Sequence, residues 1–162
     1  MKSSLNTKIM ELVYQLEGAG WADARISDGS RQLGMSVSYL SDALGDMAKA
    51  ALHLLRGGRE ASFSFEDEPG QNRWLLTRGE ADSLRIQIRW FDDTFSSLDF
   101  GRGKEVFFCE CAVLDFAGQV HSVLHQVLED EGAEGYKRRW TNHDFPAESF
   151  AEIQKLLTPD AQ

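Results

Sequence analysis

An α+β domain is what this sequence predicts: an antiparallel β-meander of about five to six strands, with helices packed mainly on one face. Three observations lead there. Leu84, Ile86, Ile88 and Trp90 alternate with Arg85, Gln87 and Arg89, the period of a strand with one buried face. Asp28-Gly29 and Pro69-Gly70 are turn pairs between apolar segments. Leu40, Leu44, Met47, Ala51 and Leu55 recur at helical spacing, as do Phe116, Val120, Val123, Leu124 and Val127.

The first element expected is an amphipathic helix over residues 5–17, with Leu5, Ile9, Leu12, Val13 and Leu16 on one face and Gly18 and Gly20 as its stop. A short strand over 24–27 and a return strand over 33–39 flank the Asp28-Gly29 turn; Met35, Val37 and Tyr39 form the apolar face of the second. Ser41 is the candidate N-cap of the central helix, Asp42 and Asp46 lie near its positive end, and Gly57-Gly58 stops it. Phe63 and Phe65 mark the next strand, residues 73–77 another, and 84–90 a third, with a turn over 79–82 and a link over 101–103. Residues 105–114 are apolar on both faces, which predicts a central strand. Asp115 is placed to cap the helix that ends at Glu129-Asp130-Glu131-Gly132. Residues 136–143 fit no single pattern. Asp144-Phe145-Pro146 opens a last helix with Phe150, Ile153, Leu156 and Leu157 as its stripe and Pro159 beyond it.

The totals bound the rest. The chain has 162 residues, a length that fits one domain over 1–162. The net charge of −9, from 17 basic and 26 acidic residues, opposes nucleic-acid phosphates and anionic membranes and suits a basic protein partner. Two cysteines two apart make no disulfide framework, and no long apolar run reads as a signal peptide or membrane span; both fit the cytoplasm.

No motif in the chain supplies a reaction centre. His121, His125 and Glu129 stack at helical spacing, but a further ligand would have to come from elsewhere, and a solvated helix face is the simpler reading. Cys109 and Cys111 share one strand face without a second pair to complete a metal site, and a nucleophilic role would need a base such as His53 or His143 beside them. Tyr136-Lys137-Arg138-Arg139-Trp140 is the one basic cluster; Tyr136 and Trp140, four apart, suit anchors of a short helix whose cations face water. There is neither a phosphate-binding glycine loop nor a nucleophile elbow. The expected set is therefore no catalytic residue, no metal and no cofactor. What remains is a recognition edge: Glu66, Asp67 and Glu68 at one turn, Asp92 and Asp93 at a strand end, with Trp90 and Phe91 as anchors.

Ser38-Tyr39-Leu40-Ser41-Asp42-Ala43-Leu44-Gly45-Asp46, followed by Glu68-Pro69-Gly70 and Arg73-Trp74, resembles a group of uncharacterised bacterial proteins of similar size. Residues 109–116 and Asp144-Phe145-Pro146 look similar too, and the resemblance covers most of the chain from Asp28 onward; it implies no activity and no catalytic residues. By type, as a small acidic α+β chain without catalytic motifs, the protein resembles the immunity proteins of bacterial polymorphic toxins. That likeness implies a cognate toxin as partner, bound so that its active site is occluded. Two alternatives stay open: a small ligand-binding or enzymatic domain, and an assembly subunit using the 5–16 helix as a dimer contact.

Overall fold

The computed structural model describes residues 10–93, 99–141 and 143–158. Its elements are β1 (Glu11–Leu16), β2 (Trp21–Ser27), β3 (Gln32–Ser38), α1 (Ala43–Leu55), β4 (Glu60–Glu66), β5 (Gln71–Arg78), β6 (Ser83–Phe91), β7 (Lys104–Ala112), α2 (Val113–Arg139) and α3 (Ala147–Leu157). The strands form two antiparallel meanders, ordered β1-β2-β3 and β4-β5-β6-β7. The α+β class stands as the patterning implied, with seven strands among the described residues.

The additional strand is the opening segment. Residues 11–16 form β1 where a helix was expected. Met10, Leu12, Tyr14 and Leu16 are buried while Glu11 and Gln15 are exposed, a period of two. Helical spacing and strand alternation coexist over these residues. Pairing with β2 decides between them, with Leu12 opposite Ile26 and Tyr14 opposite Ala24. Leu5 and Ile9, and with them residues 5–9 of the proposed dimer helix, lie outside the described residues, as does Pro159. On its other side β1 meets α2, where Gln119 Oε1 accepts a hydrogen bond from the Leu12 amide at 2.9 Å. The β2–β3 turn forms as expected. Asp28 Oδ1 accepts from the amides of Ser30 and Arg31, both at 2.8 Å.

Asp42, not Ser41, caps α1: its carboxylate accepts from the Gly45 amide at 3.2 Å. Leu40 therefore precedes the helix and is 52% exposed rather than part of its buried stripe. Leu44, Met47, Ala48, Ala51 and Leu54 are fully buried, and each large one contributes about 1.5–3 kcal/mol of burial free energy. The small residues Ala43, Ala50 and Gly45 keep the helix thin, so it fits among β4, α2 and α3.

In the four-stranded sheet, Phe63, Phe65, Trp74, Leu76, Leu84, Ile86, Ile88, Phe107 and Cys109 fill the inner face. β7 is an edge strand, not a central one. Its outward Phe108 is covered by the Arg85 guanidinium, 5.9 Å above the ring, and its edge carbonyl at Phe108 accepts from Arg31 at 2.8 Å. Arg31 thus occupies one carbonyl of the open edge, and Arg85 shields an apolar ring on the outer face. α2 begins directly at Val113, with Asp115 in its first turn accepting from the Ala112 amide at 2.9 Å. The helix breaks at Gly132 (φ 71°, ψ 165°) and resumes, carrying Tyr136 and Trp140 into the core. α3 lays Ile153 inward, with Phe150 and Leu157 partly buried beside it, while Leu156 faces out.

Candidate functional site

Register in the four-stranded sheet brings the two acidic turns together. Glu66 pairs with Gln71, and Gln71 pairs in turn with Phe91, so the end of β6 lies beside the β4–β5 turn. The turn closes by a hydrogen bond from the Asp67 amide to the Gly70 carbonyl at 2.8 Å, and Asp67 Oδ1 accepts from the Glu68 amide at 2.9 Å. The buried Gln71 side chain donates to the Asp93 carbonyl at 3.0 Å, which ties the strand end to the turn. Five carboxylates from two separate stretches thus occupy one end of the sheet.

Within this end the residues take different roles. Glu68, Asp92 and Asp93 are exposed; Glu66, Asp67 and Trp90 are half-buried. The Trp90 indole N–H donates to Asp92 Oδ1 at 2.7 Å, which holds the ring in one orientation. Phe91 is only 5% exposed and lies under the Arg73 guanidinium, 4.6 Å from its centroid. As strand neighbours, Trp90 and Phe91 point to opposite faces of the sheet. Burial pushes the Glu66 carboxyl above the usual carboxylate range, against the pull of Arg73.

The other candidate residues do not assemble into a reaction centre. His121 packs on Phe150 and meets Gln154 Oε1, while His125 is exposed; their rings are parallel at 6.5 Å between centroids. Among the described residues no group of three or more His, Cys, Asp or Glu side chains could hold a metal ion. Cys109 is buried and Cys111 half-buried. A hydrogen bond from Cys111 lowers the Cys109 thiol, and the same contact together with burial raises Cys111. The charged groups acting on Cys109 are Asp28, Arg31 and Glu110; neither His53 nor His143 is among them. Tyr136 and Trp140 anchor the end of α2 as expected, with Lys137 and Arg138 exposed. Lys137 pairs with Asp144 at 3.4 Å and Arg139 with Glu131 at 3.0 Å, which neutralises much of the basic cluster.

Sequence reasoning missed Gln71 and Asn72, the buried polar pair behind the acidic end. Their signal was present: both directly follow the Pro69-Gly70 turn, where the polar strand start faces β6. It also missed Arg78, whose Nε donates to the Gly58 carbonyl at 3.0 Å and whose other nitrogens meet Asp82 and the Leu54 carbonyl.

The arrangement is that of an α+β chain with a built acidic end and no assembled reaction centre among the described residues. No family model matches the chain, and no curated protein matches it. A chain of the solved CdiA-CT/CdiI toxin and immunity complex from Enterobacter cloacae is similar with a TM-score of 0.46 and 10% identity, over 72% of this chain and 99% of that chain. The acidic end stands independently of that likeness. Among the described residues no helix is long and apolar enough to cross a membrane.

Proposed function

We propose that the chain is an immunity protein, a non-enzymatic inhibitor that binds a cognate bacterial toxin domain and occludes its active site. The carrying observation is that Glu66, Asp67, Glu68, Asp92 and Asp93 share one end of the sheet with the half-buried Trp90, whose indole is held by Asp92. A toxin acting on an anionic substrate has a basic cleft. An acidic protrusion steers toward such a cleft and fills it, and a rigid tryptophan beside the charges is a suitable hot spot. Phe91, buried under Arg73, offers little surface to a partner.

The test is co-expression with the product of the adjacent gene. Wild type should co-purify with that product and rescue growth; Glu68→Lys with Asp93→Lys should lose both at a temperature where circular dichroism shows the variant folded. A double variant that binds as tightly as wild type would remove the acidic end from the interface.

A second reading, a small-ligand domain, has one specific observation in its favour. A hollow of about 420 Å³ lies on the three-stranded sheet, lined by Val13, Gln15, Asp23, Arg25, Gly34 and Ser36. A thermal-shift screen with nucleotides and divalent metals that moves the melting temperature, and loses the effect in Arg25→Ala, would favour it.

A further inference from the structure

Two buried tyrosines pack on a tryptophan that is hydrogen-bonded to the chain just before α1. Tyr14 on β1 is 4% exposed and Tyr136 in the second part of α2 is fully buried. Both rings lie against Trp140, at 6.5 and 6.2 Å between centroids. The Trp140 indole N–H donates to the Ser41 carbonyl at 3.1 Å, so the three aromatic rings are pinned beside Ser41 and the helix cap Asp42. The hydroxyl oxygens of Tyr14, Tyr136 and Ser41 are all buried without a partner in the protein. Burial raises both phenols. Tyr14 is raised further by Tyr136 and by Asp42, and Tyr136 by Asp42, which puts all three groups in one neighbourhood.

A buried hydroxyl left unpaired costs about 1–3 kcal/mol, and folded proteins leave few such groups without a partner. The donor and acceptor inventory selects the occupant. Each phenol needs an acceptor for its proton, whereas the Asp42 carboxylate can only accept. An anion would face that carboxylate, and the positive end of α1 is already taken by it. Water both accepts from phenols and donates to a carboxylate.

We propose that Tyr14, Tyr136 and Ser41, with the Asp42 carboxylate, form a closed internal site for bound water. This water fastens the part of α2 beyond Gly132 to the N-terminus of α1. Trp140 closes the site, and the amide of Gly20 donating to the Arg139 carbonyl at 2.7 Å holds the same segment from the side of the β1–β2 turn. The basic side chains of Lys137 and Arg138 are therefore carried on a segment whose position depends on internal water.

The test is a double-mutant cycle on the full chain with Tyr14→Phe, Tyr136→Phe and both together, read by thermal unfolding. If the phenols share bound water, each single variant loses about 3 °C in melting temperature, and the double loses clearly less than the sum. A single variant as stable as wild type or more so overturns the proposal, as do strictly additive losses. If a variant does not fold, a high-resolution crystal structure of the wild type decides. Density for water within hydrogen-bond distance of both phenol oxygens supports the site, and its absence overturns it.

Discussion

The Trp90 ring lies against Gly70 so closely that a β-carbon at Gly70 would come within 2.3 Å of the indole. Gly70 also has φ +95°, which an L side chain rarely adopts. The turn residue and the aromatic residue of the acidic end are thus one mechanical unit. Trp90 is held on one side by Gly70 and at its nitrogen by Asp92. Gly70→Ala is expected to displace the indole and shift its N–H resonance in an NMR spectrum. If Trp90 is the anchor, partner affinity should fall at least about tenfold, an interaction loss of about 1.4 kcal/mol or more. An unmoved indole resonance would sever this link.

Glu66 carries a pH signature. Its carboxyl is raised by burial above the value it has in the unfolded chain, so the folded state holds that proton more tightly. The contribution is fully present below the unfolded value of about 4.3 and is lost as pH rises through the folded one. Wild type therefore bears a penalty at pH 7 that Glu66→Gln does not. The variant should melt higher than wild type at pH 7, and the difference should close below about pH 4. A variant that melts lower at pH 7 would mean that the attraction of Arg73 outweighs burial.

Gly132 is the hinge of α2. Its φ of 71° and ψ of 165° fall in a region nearly reserved for glycine, and beyond the adjoining chain nothing lies within 4 Å of where a β-carbon would be. The effect of Gly132→Ala is consequently a backbone effect, of about 1–3 kcal/mol. The melting temperature should fall by several degrees, and near-UV circular dichroism should change, because Tyr136 and Trp140 follow the break.

Arg78 joins three pieces of chain. It donates to carbonyls at the end of α1 and just beyond it, and pairs with Asp82 across the β5–β6 turn. Arg78→Ala leaves those carbonyls without their charged donor and should destabilise the chain by about 3 kcal/mol. Arg78→Lys should recover little of this, because a single ammonium cannot reproduce the planar fork. Chemical denaturation of both variants against wild type is the measurement.

Parts of the fold were legible because a local rule had no rival. Leu84, Ile86 and Ile88 alternate over β6 with no helical spacing in the same residues, and the Asp28 carboxylate closes its own turn. Residues 11–16 had two rival rules. Leu12 and Leu16 fit a helix face, and Leu12, Tyr14 and Leu16 fit a strand face; the presence of β2 chose the strand. β7 misled in a different way. Its inner residues Phe107 and Cys109 join the core, while its outer Phe108 lies under Arg85 and its edge carbonyl at Phe108 is met by Arg31, cations distant in sequence. The end of α2 was hidden because Gly132 interrupts the helix without ending it.

The sequence by itself determined the α+β class, the acidic character, the individual acidic turns and the anchoring of Tyr136 and Trp140. Each follows from composition or from neighbours within a few residues, where steric preference and periodic burial act directly. Strand register is what brings the Glu66 and Asp92 stretches to one end of the sheet, and packing is what buries Phe91 under Arg73. The tertiary structure alone placed Tyr14 with Tyr136 at the start of α1. Those relations depend on strand register and on where α2 resumes after Gly132. Both are set by the joint packing of the whole core, which no local stretch encodes.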